Sequence, residues 1–354
     1  MDEFNYKALP WNIVFGTGSL SRLAEELDKL GFKRAVVLTT PNQRALGEKI
    51  CGLLGDRSVG LFDRAKMHVP AATLEAAQGQ VQLAKADCTV SVGGGSTTGL
   101  GKALVMKSGI SNIAIPTTYA GSEMTDIWAV TEAGRKVTNR DYRVVPSLTI
   151  YDAELTLSLP SKFAVVSGLN AMAQAVVNVA TDYPNPIVSS LALDAVRALV
   201  KALPIIKQDS KNIEARSLAL YGACMAGAAL GTGSTGIHHR LCHTFGGIFN
   251  TPHAETHAIL LPYSISYNAR AAAKGTKRIA EVLGVEDAAM GMYQLARELD
   301  SPQALSQIGI LESDLDRAAE VVIEKTIVNP ESVTRNGVRA LLQRAFEGSP
   351  PKSN

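Results

Sequence analysis

The sequence predicts a parallel α/β domain over residues 1–157, followed by an all-helical domain over residues 158–354. Two observations predict this division. In the first 150 residues, short β-branched segments alternate with longer segments of helical pattern, which is typical of parallel strands joined by crossover helices. Beyond Leu159 the strand patterns stop, and helix-compatible segments follow one another. Pro160 separates the last strand pattern from the first helical one, so we place the boundary near it.

Six segments predict the strands of the sheet, and each is rich in β-branched residues. In chain order they are NIVFG, RAVVLTT, SVGLFD, CTVSVGGG, NIAIPTT and SLTIYD. The segment AATLEAAQGQVQLAKA, between the third and the fourth, is typical of a crossover helix. The main helices of the second domain are predicted by SSLALDAVRALVKALP, EARSLALYGACMAGAAL, LDRAAEVVIEK and SVTRNGVRALLQRAF. We therefore expect a Rossmann-like first domain and a helical second one.

The composition limits the partners and the compartment. The 354 residues carry a net charge of +2, and the lysines and arginines are scattered, which argues against nucleic acid or a membrane surface as a partner. Residues 164–180 form the most apolar stretch, but polar side chains interrupt it, so we expect a buried helix rather than a membrane span. The first residues do not resemble a signal peptide, and the four cysteines lack paired spacing. We expect a cytoplasmic protein with reduced thiols.

A glycine-rich turn follows the fourth predicted strand. Three glycines precede three hydroxyl residues at the start of a predicted helix: Gly93, Gly94, Gly95, Ser96, Thr97 and Thr98. Missing side chains let a phosphate approach the backbone, and the N–H groups of a helix N-terminus attract an anion. The alternative is a plain turn that needs positive φ. The position at the carboxyl end of a strand favours the phosphate site.

A second loop follows the fifth predicted strand in the segment NIAIPTTYAGSE. It offers the hydroxyls of Thr117, Thr118 and Ser122. One such loop alone is more often a helix cap. Two hydroxyl-rich loops at the ends of two strands can hold the two ends of a dinucleotide.

Five of the six histidines lie within HHRLCHTFGGIFNTPHAETH, at His238, His239, His243, His253 and His257. His239 and His243 share a helix face because they are four residues apart, and His253 returns after the chain has turned. A single histidine is usually structural, but five in twenty residues favour a functional site. His238 and His257 either support that site or lie at the surface.

A second pair with the same spacing is Asn170 and Gln174, in GLNAMAQAV. Both side chains are neutral amides, whose oxygens are weak metal ligands. Two imidazoles and two amides would bind a divalent ion far less well than three imidazoles and a carboxylate. The pattern is that of a metal site without its strongest ligands.

Taken together, these motifs resemble the iron-containing alcohol dehydrogenase family over nearly the whole chain, from NIVFGTGSL to NPESVTRNGVRALL. The resemblance implies a nicotinamide-binding domain, a helical domain, and an active site in the cleft between them. The family's four metal-ligand positions fall on Asn170, Gln174, His239 and His253, where metal-dependent members have one aspartate and three histidines. We therefore expect no metal.

The resemblance also assigns the cofactor residues. The phosphate turn matches residues 93–98, the second nucleotide loop matches Thr117, Thr118 and Ser122, and a lysine near the cofactor matches Lys136. Thr40 falls where members that exclude NADP have an aspartate, so either NADH or NADPH should be accepted. Gly99 stands where many metal-dependent members carry aspartate.

Within the family, the resemblance is closest to members that reduce the conjugated C=C bond of maleylacetate to 3-oxoadipate in hydroxyquinol- or resorcinol-type degradation of aromatic compounds. It implies a dicarboxylate substrate and a homodimer. We expect His239 and His253 to donate N–H groups to an enolate and His243 to supply a proton. The expected substrate contacts are Asn170, Gln174, Arg240 and Thr118.

Three other functions stay open at this point. They are a metal-dependent alcohol or polyol dehydrogenase, a lyase of the dehydroquinate synthase type, and a nucleotide-binding protein without catalysis. The amides at positions 170 and 174 argue against the first two, and the histidines argue against the third.

Overall fold

The computed structural model describes residues 3–132, 135–181 and 185–352, with only the backbone of residues 135 and 136. The chain forms two compact units, which meet in the sequence at Leu159 and Pro160. One unit contains residues 8–159. The other contains residue 160 onward, together with residues 3–7, which the sequence had assigned to the first domain. The roles predicted for the two domains stay predictions.

The first unit has the predicted parallel α/β fold. The strands of its sheet are β1 (Ile13–Phe15), β2 (Ala35–Leu38), β3 (Ser58–Phe62), β4 (Cys88–Gly93), β5 (Ser111–Pro116) and β8 (Leu148–Tyr151). Among the described residues they form one six-stranded sheet in the order β1-β8-β5-β4-β2-β3, in which all neighbours are parallel. The helices are α1 (Leu23–Lys29), α2 (Arg44–Leu54), α3 (Ala71–Leu83) and α4 (Gly95–Ser108). All six predicted strands are confirmed.

Helices cover both faces of this sheet, which explains why β2 is apolar throughout. Val37 packs in one cluster with residues of α1 and α2, whereas its neighbours Val36 and Leu38 pack in another with residues of α3 and α4. Successive side chains of a strand point to opposite faces, so both sides of the buried β2 are apolar. Every residue of β4 is buried as well, and its Thr89 and Ser91 hydroxyls donate to Asn112 Oδ1 of β5 at 3.0 and 2.7 Å.

Between β5 and β8, the chain forms an antiparallel hairpin that the sequence did not predict. It consists of β6 (Ile127–Glu132) and β7 (Arg135–Arg140). β6 is only partly buried, and β7 has the sequence RKVTNR, which lacks the apolar alternation of a half-buried strand.

The second unit is all-helical over its described residues, as predicted. Its helices are α5 (Ser161–Val176), α6 (Pro186–Gln208), α7 (Ile213–Thr232), α8 (Gly236–Phe249), α9 (His253–Asn268), α10 (Ala273–Leu283), α11 (Ala288–Glu298), α12 (Asp314–Ile323) and α13 (Arg335–Glu347). Side chains cap several N-termini; Asn185, for example, accepts from the backbone of Ile187 and Val188.

Helix α9 is central to this unit, because it packs against α5, α8, α11 and α13. Its neighbour α5 is buried from Ala164 onward except for the partly exposed Ser167, which agrees with the buried helix predicted there. Among the described residues, no helix combines the length and the apolar content that a bilayer crossing needs.

Candidate active site

The glycine-rich turn lies where an open parallel sheet normally binds ligands. β2 and β4 are neighbours, but β2 leads to β3 on one side and β4 leads to β5 on the other. Such a switch in direction opens a crevice at the carboxyl ends of the strands. Thr40, Gly93 and Thr117 lie at the carboxyl ends of β2, β4 and β5.

The geometry of this turn requires its glycines and leaves donors free. Gly93 has φ 144°, a conformation that favours glycine. A Cβ on Gly94, the N-cap of α4, would lie 2.9 Å from Thr118 Oγ1, so Gly94 lets the second loop approach. Gly95 is exposed, and among the described residues no acceptor bonds the backbone N–H groups of Gly95 and Ser96. These two groups at a helix N-terminus suit a phosphate.

Three of the predicted cofactor residues have side chains that are buried in the turn and are not exposed to a ligand. Thr97 is 0% exposed and donates to Gly94 O at 2.9 Å. Thr98 and Thr117 are each 2% exposed, and Thr117 Oγ1 accepts from Gln43 Nε2 at 2.8 Å. The hydroxyls of Thr97 and Thr117 therefore stabilise the cradle, and the backbone and the half-buried Ser96 are left to contact a ligand.

Two residues of this region, Gln43 and Lys102, were not predicted from the sequence. Gln43 follows Thr40 at the end of β2 and joins that end to the second loop; only its place after a strand end could have indicated it. Lys102 lies in α4 with its side chain fully buried, and its Nζ donates to Thr125 O at 2.6 Å and Ile127 O at 3.0 Å.

Lys102 also donates to Ser122 O, so it holds the segment that carries the predicted contact Ser122. Burial lowers the pKa of Lys102 to about 7, and the neighbouring Glu123 carboxylate opposes this shift. Lys136 lies in β7, but its side chain is outside the described residues, so its proposed contact with the cofactor stays a prediction.

The helical unit brings all five histidines of the motif into one cluster of rings. The ring centroids of His239 and His243 are 6.2 Å apart, those of His253 and His257 are 4.5 Å apart, and those of His238 and His257 are 4.9 Å apart. The His239 and His257 rings, 5.3 Å apart, join the two groups. His238 and His257 are buried, so the surface alternative is wrong for both. His253 is the first residue of α9.

The hydrogen bond of His239 corrects its predicted role. Its Nδ1 lies 3.0 Å from Thr235 O, and a carbonyl oxygen can only accept, so Nδ1 carries the proton. In the neutral ring, Nε2 then carries a lone pair and no proton, so it can only accept. His239 can donate from Nε2 to an enolate only as an imidazolium.

A second set of bonds fixes His238 and His257. Ser264 Oγ donates to Leu260 O at 2.9 Å, so it accepts from His238 Nδ1 at 3.0 Å. His238 Nε2 is then the acceptor for His257 Nδ1 at 2.9 Å. Burial, reinforced by the neighbouring imidazoles, holds the pKa of His238 and of His257 well below the usual value, which favours neutral rings.

The structure gives Arg240 a role other than substrate binding. Its Nε donates to Val322 O at 3.1 Å and its Nη2 to Val321 O at 2.5 Å. These carbonyls belong to the last turn of α12, where a cation and its N–H groups stabilise the helix end. Because this contact occupies the guanidinium, we withdraw Arg240 as a substrate contact.

Asn170 and Gln174 lie on α5, 4% and 6% exposed. Asn170 Oδ1 has no hydrogen-bond partner among the described residues. An iron(II) site normally combines imidazoles with at least one carboxylate. The four positions that the family resemblance selects supply two amides and no formal charge, so this set of ligand atoms does not fit iron.

Another group of possible metal ligands lies close by. The ligand atoms of His238, Cys242 and His257 lie within 4.8 Å of one another. His238 and His257 are already hydrogen-bonded to each other, and burial raises the pKa of the Cys242 thiol, which keeps it protonated. This group therefore does not provide a preformed site either.

Comparison with known proteins gives the same family as the sequence motifs. The model described as "Iron-containing alcohol dehydrogenase" matches residues 10–153, and the one described as "Fe-containing alcohol dehydrogenase family, C-terminal" matches residues 164–346. The maleylacetate reductase of Sphingobium indicum is 45% identical over 349 residues, 99% of each chain. The crystal structure of maleylacetate reductase from Agrobacterium tumefaciens is 44% identical, with a TM-score of 0.96 over 99% of this chain and 100% of that one.

The crystal structure of maleylacetate reductase from Rhizobium sp. strain MTP-10005 is equally similar, with 45% identity and a TM-score of 0.95 over 99% of this chain and 100% of that one. These matches span both units and confirm the predicted resemblance. The chain belongs to the iron-containing alcohol dehydrogenase family.

Proposed function

We propose that this protein reduces maleylacetate to 3-oxoadipate with NADH or NADPH, without a bound metal, in the degradation of aromatic compounds. The absence of a metal is proposed from the ligand atoms: the four positions supply two imidazoles and two neutral amides, where a metal-dependent member has a carboxylate and three imidazoles. The full-length relatives named maleylacetate reductase support the reaction.

The residues of the first unit fit a nicotinamide dinucleotide. The free N–H groups of Gly95 and Ser96 would hold its diphosphate, and Thr118 and Ser122 line the second loop. Thr40 brings no negative charge to the end of β2, so a 2′-phosphate is not repelled and both cofactors are accepted. When bound, the cofactor supplies the hydride.

The proposed substrate needs its developing charge stabilised. Hydride adds to the carbon β to the ketone, and the negative charge moves onto an enolate oxygen. The amide N–H groups of Asn170 and an N–H of His253 are the donors that we assign to this oxygen; His239 adds a third, through Nε2, only when its ring carries both protons. Each donor in a preorganised site contributes about 3 kcal/mol to the transition state.

The reaction also needs one proton at the α carbon, and an imidazole of the cluster is suited to donate it. The sequence predicts His243 as this donor. It lies on α8, one turn after His239, and it is exposed. Thr118 and Gln174 remain proposed substrate contacts.

The test is to mix the protein with NADH and follow nicotinamide absorbance with maleylacetate or with a simple aldehyde. We expect oxidation of NADH with maleylacetate and little with the aldehyde. Turnover of the aldehyde alone would favour the metal-dependent alcohol dehydrogenase. Binding of NADH without oxidation by either compound would favour a nucleotide-binding protein without catalysis.

We also propose a cytoplasmic homodimer, on the family resemblance. Light scattering during gel filtration should give twice the chain mass, and a monomeric mass would contradict the dimer.

A further inference from the structure

The segment that follows β2 lies beside the phosphate turn. Gln43 Nε2 donates to Thr117 Oγ1 at 2.8 Å, and a Cβ on Gly93 would lie 2.5 Å from Gln43 Oε1. The side chain of Gln43 is therefore in contact with the turn that follows β4. Arg44, the next residue, begins α2 and is exposed. A charged side chain thus starts one residue away from the proposed cofactor site.

The segment that follows β3 reaches the same place. Thr39 N donates to Phe62 O at 2.9 Å, and Ala65 N donates to Thr39 O at 3.0 Å, so the chain beyond β3 stays next to the chain beyond β2. Asp63 comes directly after β3, and Arg44 Nη1 donates to Asp63 Oδ2 at 2.6 Å. This ion pair joins the carboxyl ends of β2 and β3.

Two carboxylates hold Arg44 without using all of its donors. Its Nε also donates to Glu48 Oε1 at 2.9 Å, one turn along α2. A guanidinium has five N–H donors, and these two bonds use two of them. Among the described residues, no acceptor bonds Arg44 Nη2. The Arg44 side chain is 62% exposed, so its remaining donors are accessible to a ligand.

An arginine at this position fits one part of a dinucleotide. When a diphosphate lies at the turn after one strand of such a sheet, the adenosine ribose lies at the end of the neighbouring strand. There an acidic residue binds the 2′-hydroxyl of NAD, or a nearby arginine accommodates the 2′-phosphate of NADP. Here the neighbouring strand is β2, and Thr40 at its end brings no charge. Arg44 is the first cation after Thr40, and a guanidinium binds phosphate oxygens through paired N–H groups.

Stability alone does not explain the place of the Arg44–Asp63 pair. An exposed ion pair contributes little to folding, because water screens both charges. Arg57 makes a similar pair with Asp28 at 2.5 Å, but Arg57 directly precedes β3 and therefore lies at the amino end of the sheet. The chain thus has one such pair at the ligand-binding edge and a comparable one at the opposite edge.

We propose that Arg44 binds the 2′-phosphate of NADPH and that Asp63, by competing for its guanidinium, shifts the preference of this protein toward NADH. The inference rests on the proposed function and deepens it, because it names the residues that set the choice between the two cofactors. Asp63 acts through Arg44. The 2′-phosphate has to share the guanidinium with a carboxylate, whereas NADH has no 2′-phosphate and does not need this arginine for charge neutralisation.

The test is the ratio of NADPH affinity to NADH affinity, measured by nicotinamide fluorescence titration of full-length variants at one ionic strength. We expect Arg44→Gln to lower this ratio roughly tenfold, because it removes charge-assisted hydrogen bonds to the phosphate. We expect Asp63→Asn to raise the ratio about threefold, because it releases an exposed ion pair. A general loss of fold would weaken the binding of both cofactors alike and would not produce these opposite changes.

The double change Arg44→Gln with Asp63→Asn separates competition for the guanidinium from direct repulsion of the phosphate. If Asp63 acts through Arg44, Asp63→Asn should raise the ratio much less in the Arg44→Gln background than in wild type. An equal rise in both backgrounds would contradict the competition, because it would mean that the Asp63 carboxylate acts on the phosphate directly.

Arg57→Gln is the matched control, since it breaks the same type of ion pair at the other edge of the sheet. It should leave the ratio at the wild-type value. Arg64→Gln tests another cation near the end of β3, whose guanidinium lies over the Phe62 ring at 4.9 Å from its centre. It should change the ratio much less than Arg44→Gln.

Equal ratios in Arg44→Gln and wild type would overturn the inference, and so would a fall in the ratio that is as large in Arg57→Gln or Arg64→Gln. NADH binding without NADPH binding in both wild type and Asp63→Asn would also overturn it, and would leave reduction with NADH standing. If the wild-type protein binds neither cofactor, the proposed function itself fails, and the two failures are thus distinguishable.

Discussion

At the scale of single residues, the glycines of the phosphate turn differ in whether there is space for a side chain at their position. A side chain at Gly94 would meet Thr118, so the change Gly94→Asp would disturb the second loop as well as a bound phosphate. Gly95 has only Ala120 Cβ near its own Cβ position, at 3.9 Å, so a side chain fits there without strain in the protein. Gly95 is therefore the cleaner position.

We predict that Gly95→Asp weakens NADH binding about tenfold, because it places a carboxylate at the helix N-terminus where the diphosphate should bind. NADH fluorescence titration measures the affinity, and thermal unfolding verifies the fold. Gly95→Ala is the control for bulk alone and should have a smaller effect. Equal NADH affinity in folded Gly95→Asp and wild type would mean that the turn does not hold the cofactor.

The lowered pKa of Lys102 predicts how the stability of the fold depends on pH. Its pKa is lowered from 10.5 to about 7 in the folded protein, so between these values the unfolded chain binds a proton that the folded chain does not. Raising the pH through this window therefore stabilises the fold, and each unit of lowered pKa corresponds to about 1.4 kcal/mol. Below pH 7 both states are protonated and the effect ends.

The comparison that isolates this effect is wild type against Lys102→Met. We predict that Lys102→Met is less stable, because several backbone oxygens lose their donor, and that its deficit in unfolding free energy grows between pH 7.5 and 9.5. Denaturant titrations at both pH values measure the deficit. A constant deficit would show that Lys102 stays charged in the fold.

At the scale of elements, the position of α4 on the sheet depends on Gly101. A Cβ there would overlap Ser91 Oγ of β4 and Asn112 Oδ1 of β5. We predict that Gly101→Ala costs about 1 to 3 kcal/mol of unfolding free energy and weakens cofactor binding, because α4 carries the phosphate turn.

Gly79→Ala is the matched control, since Gly79 lies inside α3 with open space around its Cβ position. It should stabilise the protein by about 0.5 to 1 kcal/mol, because alanine favours a helix. Denaturant titration of both variants is the measurement. Equal effects of the two changes would contradict the close approach of α4 to β4 and β5.

The regular elements could be predicted because their signals are local. The strands are short segments rich in β-branched residues, and the helices have long helix-compatible segments. The hairpin β6–β7 was missed because its residues are polar and partly exposed. Gln43, Lys102 and the proton positions on His238 and His239 could not be predicted, because they depend on hydrogen bonds. A pattern of residue types does not specify these bonds, and most of them join segments far apart in the chain.

At the scale of the whole molecule, the four positions taken from the family resemblance lie on three helices, with α9 packed against both α5 and α8. Their convergence on one point stays a prediction. The double change Asn170→Asp with Gln174→His tests it, because it would supply one carboxylate and three imidazoles.

We predict that this double variant gains affinity for a divalent ion and loses maleylacetate reduction, because a metal would convert the proposed donors into ligands. Elemental analysis and turnover are measured together. Adding His239→Asn to the double variant should remove the metal again. A folded double variant without bound metal would show that the four positions do not converge.

The central claim is a nicotinamide-dependent reduction that needs no metal. The most direct measurement is the rate of NADH oxidation with maleylacetate before and after exhaustive chelation, with metal content determined on the same sample. We predict an unchanged rate and stoichiometric formation of 3-oxoadipate in the metal-depleted protein. A rate that is lost on chelation and restored by iron or zinc would contradict the account.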